Sequence, residues 1–372
     1  MLDNCHIKSI YYSSLLSLIC FLAFNIQYCF SQETVEEIST TTDTLSNEYI
    51  IDHKKQFNVK LEVGNEISSF KLIENNTEVD LSPSLNIRYA VVLSYKFLSV
   101  RIGIRPKISD SEKEEKGDSD TFRLRLQLLF DNWNHVIEYN KYRGFYVENS
   151  GDYVSNTSGN YIQFPDLTTH VVFGSSVYKF NKNYSMRAIQ SQTEIQSKSA
   201  GSFMPGLAYT FYSISGTDKI KNIEDGETIT RDYYNEYRGV NLALQFGYYY
   251  TFVFQKNWFL NGFGIPAVGV DFYSVDYNTP VGRTTRNFKD SFFSLSYGAG
   301  VGYNAKKIFF GALYKTRFSN EKFSSSRLHI IPTKDEFSVY FGYRFRAPKT
   351  ISKPIDLIED KVPILKDDYN KR

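Results

Sequence analysis

The chain is short of cysteine, histidine and long apolar runs, and each shortage removes a class of chemistry. Its three cysteines, Cys5, Cys20 and Cys29, all fall within the first 29 of 372 residues. The remainder has no thiol for a disulfide scaffold or a thiolate metal site. Beyond residue 31 only His53, His135, His170 and His329 could serve as imidazole bases, and none sits in a Ser/His/Asp or H-E-x-x-H arrangement. His170 near Asp166 is the one pair a hydrolase could use; a structural histidine is the plainer reading of it. No metal-ligand cluster and no phosphate-cradling glycine loop is legible, so neither an enzyme nor a cofactor is predicted. Forty-three Lys and Arg nearly balance 41 Asp and Glu, which leaves no basic field for nucleic acid. After residue 31, nothing approaches the roughly 20 apolar residues of a membrane-spanning helix.

Residues 1–31 read as a secretory signal peptide. Lys8 supplies the positive start, Leu15 to Phe24 the apolar stretch, and Cys29 and Ser31 small side chains at −3 and −1 before Gln32. Ile19 and Tyr28 are too bulky for lipid attachment at Cys20 or Cys29. Residues 32–52 are acidic, Thr-rich and without apolar period, and predict a flexible leader. Residues 347–372 carry Pro348, Pro354 and Pro363 among mixed charges and predict a solvated periplasmic tail.

What is abundant is aromatic: 29 Tyr and 30 Phe, against 2 Trp. Such residues favour half-buried strands, and Tyr suits a membrane–water interface. From Gln56 to Arg346 the pattern has period two. Phe122, Leu124, Leu126, Leu128 and Phe130 alternate with Arg123, Arg125 and Gln127. Leu242, Leu244, Phe246, Tyr248, Tyr250 and Phe252 oppose Asn241, Gln245 and Thr251, and the last strand sets Phe341, Tyr343 and Phe345 against Gly342 and Arg344. Many segments alternate for longer than the 5–6 residues of soluble strands, and match the roughly 9–11 of outer-membrane strands. Tight polar turns near Lys96 and at Asp131–Asn134, Asn181–Asn183, Gln255–Asn257 and Asn304–Lys306 alternate with long polar loops at 64–83, 107–120, 148–168, 276–290 and 319–335.

Residues 53–346 therefore predict an all-β fold: a single antiparallel transmembrane β-barrel of about 12–14 strands, with long external loops, short periplasmic turns and both termini periplasmic. Its partner is the lipid bilayer of the outer membrane. The alternation has one fault. Strands at 184–197 and 202–215 leave the next one facing the wrong way, a parity that either an extra strand in 226–234 or one irregular excursion repairs.

The least ordinary stretch is Ser185 to Phe203. Gln190, Gln192, Glu194, Gln196 and Lys198 form a wholly polar face, which on a barrel strand must look into the lumen. Arg88, Arg101, Arg105, Arg123, Arg125 and Arg344 collect on the same inner face. A cationic constriction would favour anions; the alternative is pairing with Glu62, Glu138, Glu194 and Glu336 across a filled interior. The functions to weigh are a channel or passive transport barrel, a structural or surface-interaction barrel with a filled interior, and, least supported, an outer-membrane hydrolase.

The motifs YRGFY at Tyr142–Tyr146, FPDL at Phe164–Leu167, Phe180–Asn181, the SMRAIQSQTEIQSKSAGSF stretch, GYYYTFVF at 247–254 and GVGYN at 300–304 together give the chain a resemblance to a family of exported proteins of Bacteroidetes-type bacteria classified as domain of unknown function 4421. The resemblance covers most of residues 50–346. It implies an outer-membrane-barrel-like protein and brings no catalytic residues.

Overall fold

The computed structural model describes residues 48–361 apart from 75–76, 85–86, 105, 107, 153–160, 217–232, 280–281 and 323–328. The signal peptide, Arg105 and most of the 226–234 segment lie outside the described residues. No helix among the described residues is long and apolar enough to cross a membrane.

A short strand, β1 (Ile50–Asp52), precedes the wall. The wall itself is twelve antiparallel strands: β2 (Gln56–Glu74), β4 (Ile87–Tyr95), β5 (Leu98–Ile104), β6 (Asp120–Leu129), β7 (Trp133–Val147), β8 (Gln163–Tyr178), β10 (Ala200–Ser215), β11 (Tyr233–Phe254), β12 (Trp258–Thr279), β13 (Gly282–Asn304), β14 (Ile308–Lys322) and β15 (His329–Arg346). Two further short strands are β3 (Thr77–Ser82) and β9 (Glu194–Gln196). β15 pairs with β2 from His329↔Ile73 to Arg346↔Gln56, so the sheet closes into a barrel without free edges.

Closure sorts the alternating side chains. Leu61, Phe122, Leu244 and Phe341 are exposed on the outside, whereas Lys60, Arg123, Glu138 and Arg344 are buried inside. At one end the strands are joined by tight turns. Lys96, Gln255 and Lys256 take φ of 51°, 45° and 67° there, the left-handed conformation that short hairpins require.

At the opposite end the wall is uneven. β11, β12 and β13 run 22, 22 and 23 residues, but β4, β5 and β6 only 9, 7 and 10. Over the low side β2 folds back as β3, which pairs with β7 at Leu81↔Val147 and Ser82↔Tyr146. Leu81 and Val79 join a buried cluster with Phe145, Leu167, Tyr237, Tyr273 and Val275, and this apolar roof reaches from β3 and β7 across to β12. Buried serines fasten it: Ser84 N donates to Ser119 Oγ (2.7 Å), and Ser119 Oγ to Gly144 O (2.8 Å). Gly144 has φ +84° at a register shift of β7, and a Cβ there would lie 2.3 Å from Asp118 O. Only glycine fits.

Several expected loops are strand instead. β12 and β13 pair through Asn278↔Arg283, β14 extends to Lys322 and β2 to Glu74, so much of 276–290, 319–335 and 64–83 is hairpin. At Gly282–Asn287 the reason is solvent: both faces are exposed, so pairing continues but the apolar–polar alternation that betrays a strand disappears. The 107–120 loop contains helix α1 (Asp110–Lys116), capped by the Ser109 side chain accepting from Glu112 N (3.2 Å).

Three more expectations are corrected. Residues 184–197 do not form a wall strand. They form a helical turn, α2 (Arg187–Gln190), followed by β9, so the parity fault is resolved by one irregular excursion between β8 and β10. The leader, read as flexible, has its last residues docked: β1 pairs with β9. The tail contains helix α3 (Lys349–Lys361), whose Asp356 and Glu359 hold Lys96 at the β4–β5 turn. Lys96 shows the balance of forces there. Burial alone would lower its pKa, yet hydrogen bonds and charge from Asp356 and Glu359 hold it above the ordinary lysine value.

The closure register is testable because no cysteine follows Cys29. Val63→Cys with Val339→Cys, opposite each other on the outer face, should cross-link on oxidation of the folded barrel. Val63→Cys with Tyr340→Cys, one residue out of step, should not; a gel-shift assay separates the two.

Candidate functional site in the barrel lumen

The excursion starts with an Asn turn. Asn181 Oδ1 accepts from Asn183 N (3.0 Å) while its Nδ2 donates to Gly201 O (2.7 Å), tying the strand ends together as the chain turns inward. Residues 184–196 then fill the short-turn mouth, with Tyr184, Gln192 and Thr193 at 1 % exposure or less. Ser185 Oγ accepts from Ala188 N (2.9 Å) and donates to Glu194 Oε2 (2.6 Å), joining the start of α2 to β9. Between them Gln192 takes φ +52°.

A chain crossing a lumen has backbone groups that no ladder pairs, and these need partners. The wall provides them from every side. Asn58 of β2 donates to Ser191 O (3.0 Å), Asn304 of β13 donates to Ala188 O and Glu194 O (both 3.2 Å), and Arg344 of β15 donates through Nε to Gln192 O (2.9 Å); in return the plug's Arg187 donates to Leu129 O of β6 (3.1 Å). Tyr184 bonds Thr251 of β11 and Asn261 of β12. The segment is a plug that spans the barrel.

Its electrostatic centre is Glu194, 2.9 Å from Arg187 Nη1 and 3.9 Å from Lys54 Nζ. Burial would raise the Glu194 pKa, but Arg187, Lys54 and the Ser185 hydroxyl hold it below the usual carboxylate range. Arg187 also reaches Asp131 (3.1 Å). Beneath the plug, His53 N donates to Thr193 O (3.0 Å), and Gln196 Nε2 to Tyr49 O (3.1 Å). Burial first, then the charges of Arg344 and Lys306, push the His53 imidazole down to about 4, so it is neutral at pH 7.

Above the plug lies a cavity of about 550 Å³. Tyr184, Met186, Ile189 and Gln190 form its floor, and Tyr142, Phe145, Ile214 and Tyr237 belong to the roof side. One wall is charged: Lys60 and Arg101 meet Glu62 at 3.0 and 2.5 Å, Arg123 meets Glu138 at 2.8 Å, and Lys315 meets Glu336 at 2.8 Å. The facing wall is aromatic. Tyr249 stacks on Phe263 with centroids 5.4 Å apart, and Tyr212 on Tyr237 at 5.6 Å. Six cationic side chains line the space (Lys60, Arg101, Arg123, Arg125, Lys315, Arg317) against four acids (Glu62, Glu138, Asp271, Glu336).

The predicted lumen residues divide accordingly. Arg101, Arg123 and Arg125 line the cavity, Arg344 holds the plug, and Arg88 bonds the Tyr142 hydroxyl at the roof. Gln190 reaches the cavity, but Gln192, Glu194 and Gln196 lie inside the plug rather than on a wall strand. Lys198 is corrected outright: it is exposed, pairing with Glu48 over the Tyr49 ring. A signal against the strand was available. Its other face would have been Ser191, Thr193, Ile195, Ser197 and Ser199, which gives lipid a single apolar side chain to meet. Arg187, Lys54, Asn58, Asn304 and the aromatic wall carry no sequence signal of their role. His170 faces outward, bonding the Tyr139 hydroxyl (2.9 Å), while Asp166 pairs with Arg143 (3.2 Å), so no hydrolase pair forms from them.

Fold and lumen define a class: a closed, antiparallel twelve-stranded barrel with an apolar exterior and an internal plug. The chain belongs to the family described as Domain of unknown function (DUF4421), which matches residues 41–345. No curated protein sequence matches the chain. Among solved structures it is similar to the outer membrane protease OmpT from Escherichia coli (11 % identity, covering 81 % of this chain and 100 % of that one, TM-score 0.37). It is also similar to the beta domain of the Bordetella autotransporter BrkA (12 %, 78 % and 99 %, 0.33) and to the Pseudomonas putida toluene transporter TodX (8 %, 80 % and 94 %, 0.27).

Arg187→Met should cost about 3–5 kcal/mol, the usual penalty for stranding one member of a buried ion pair, with Glu194→Gln in the same chain recovering part of it. Urea unfolding and protease cleavage within 184–196 read both. The His53 contribution to leader docking has a definite pH window. Because the folded pKa, about 4, lies below the ordinary 6.5, the contribution is complete above pH 6.5 and is lost as pH falls towards 4. Cleavage of the 48–55 segment should rise over that interval, and His53→Gln should flatten the profile.

Proposed function

We propose that the protein is an exported outer-membrane β-barrel of a Gram-negative bacterium, non-enzymatic and non-conducting, whose filled interior serves structure and ligand or surface interaction rather than open diffusion. The observation that carries this is the plug, bonded to β2, β6, β11, β12, β13 and β15.

The outer face supports the membrane. Outward residues of β11 from Leu242 to Phe252 are all apolar or aromatic and all 43 % or more exposed. At about 3.3 Å per residue and a tilt near 40°, that run spans roughly 25 Å, the height of an outer-membrane apolar band. The short-turn rim carries an aromatic girdle. Trp133, opening β7, packs edge-on to Tyr178 at 5.2 Å, and Trp258, opening β12, packs edge-on to Tyr303 and Phe310 at 5.4 and 5.7 Å. Both tryptophans thus sit where amphipathic rings anchor a barrel at the headgroups. Short turns place this rim on the periplasmic side.

A second reading, a transport barrel whose plug moves, is favoured by the cavity above the plug. Planar-bilayer recordings decide between them. The intact barrel should be electrically silent, and steady conductance should appear only when replacement of residues 185–193 by a Gly-Ser linker is combined with removal of the roof strand β3. Spontaneous conductance of the intact barrel would favour the transport reading and overturn ours.

A further inference from the structure

The cavity between plug and roof is built unlike a leftover void. A twelve-stranded barrel padded for stability alone would pair its interior charges and fill the rest, yet here about 550 Å³ stays unfilled, a volume typical of small-molecule sites. Its two walls differ in kind. The charged wall has a surplus of cations, and most of them are engaged with Glu62, Glu138 and Glu336. Arg125 is loosely held: its side chain is 27 % exposed, its nearest acid contact is Nη1 to Glu138 Oε2 at 3.8 Å, beyond hydrogen-bond length, and its Nε has no hydrogen-bond partner. A guanidinium so weakly paired leaves its terminal nitrogens available to an acceptor entering the cavity. Arg125 and Tyr249 line the same cavity, and the Tyr249 ring stacks on Phe263. A cationic donor and a flat aromatic surface therefore converge on one space.

We propose that this chamber binds a small amphipathic carboxylate, with its acid group on the Arg125 guanidinium and its flat apolar body against Tyr249 and Phe263. A planar guanidinium matches a carboxylate in two parallel hydrogen bonds, and the aromatic wall pairs best with an unsaturated ring. A cation would meet the surplus of positive charge, and a polar uncharged solute would leave the aromatic wall unused. The proposal rests on the lumen being blocked by the plug, since an open pore would give a bound solute no floor.

The probe is 2-naphthoate, titrated by calorimetry into the full barrel in lipid nanodiscs, with empty nanodiscs subtracted and neutral 2-naphthamide as the comparison. Saturable one-to-one binding of the acid is expected, at least tenfold tighter than the amide. Arg125→Gln should weaken the acid about tenfold and leave the amide unchanged, its folding checked by heat-modifiable migration. No saturable binding of the acid, or equal binding of acid and amide, overturns the proposal on the unaltered protein alone. An unchanged acid affinity in a folded Arg125→Gln barrel overturns the role of Arg125. Conductance of the intact barrel would sink the plugged reading instead, and a silent barrel that ignores naphthoate would sink only this one.

Discussion

The pairing of β15 with β2 is the constraint from which the other features follow. Once the sheet closes, each wall residue with a strand on both sides has its backbone hydrogen bonds in the ladder and its side chain assigned to lipid or lumen. The two populations then obey opposite rules: outside, a charge is expensive; inside, an unpaired polar group is. The same closure sets a size problem. An eight-stranded barrel is narrow enough for its own side chains to fill, but twelve strands enclose more space than they can occupy. This chain fills the difference with two pieces of itself, the 184–196 excursion at one end and the β3 roof at the other.

Those two pieces use different physics. The roof excludes water by apolar packing of Leu81, Val147, Leu167 and Val275, all fully buried. The plug packs Tyr184 and Met186 with Leu129, Val177 and Met204, but crosses a polar lumen with only β9 of its backbone laddered. It is held by side chains that double as wall residues, Asn58, Asn304 and Arg344, and by the Arg187–Glu194 pair that neutralises its interior charge. A buried pair of that kind adds little to net stability but makes any other arrangement costly, which suits a segment that must hold one position. Arg344 shows the same logic without an acid: its guanidinium is satisfied by the Gln192 carbonyl and the Asn304 amide oxygen at 2.6 Å each, and lies 4.9 Å from the Phe309 ring.

Much of the wall was legible because a two-sided environment imprints itself on consecutive residues. Phe122 to Phe130 and Leu242 to Phe252 can only be strands with one greasy and one wet face, and their inward and outward assignments hold in the structure. Legibility ended where that environment ended. Beyond the apolar band β13 is exposed on both faces from Gly282 to Asn287, so paired strand looked like loop. Within the lumen both sides of the chain are polar, so the plug imitated a strand.

The sequence by itself therefore determined the fold class, the closed antiparallel architecture and which side chains face out, because these depend on neighbours in the chain meeting the same two solvents. Only the tertiary structure decided that the lumen is plugged, that Glu194 belongs with Arg187 and Lys54, and that Arg125 faces Tyr249 across a cavity. Those contacts join residues from opposite sides of a cylinder. Their partners are chosen by strand register and curvature, which no local pattern of residue types encodes.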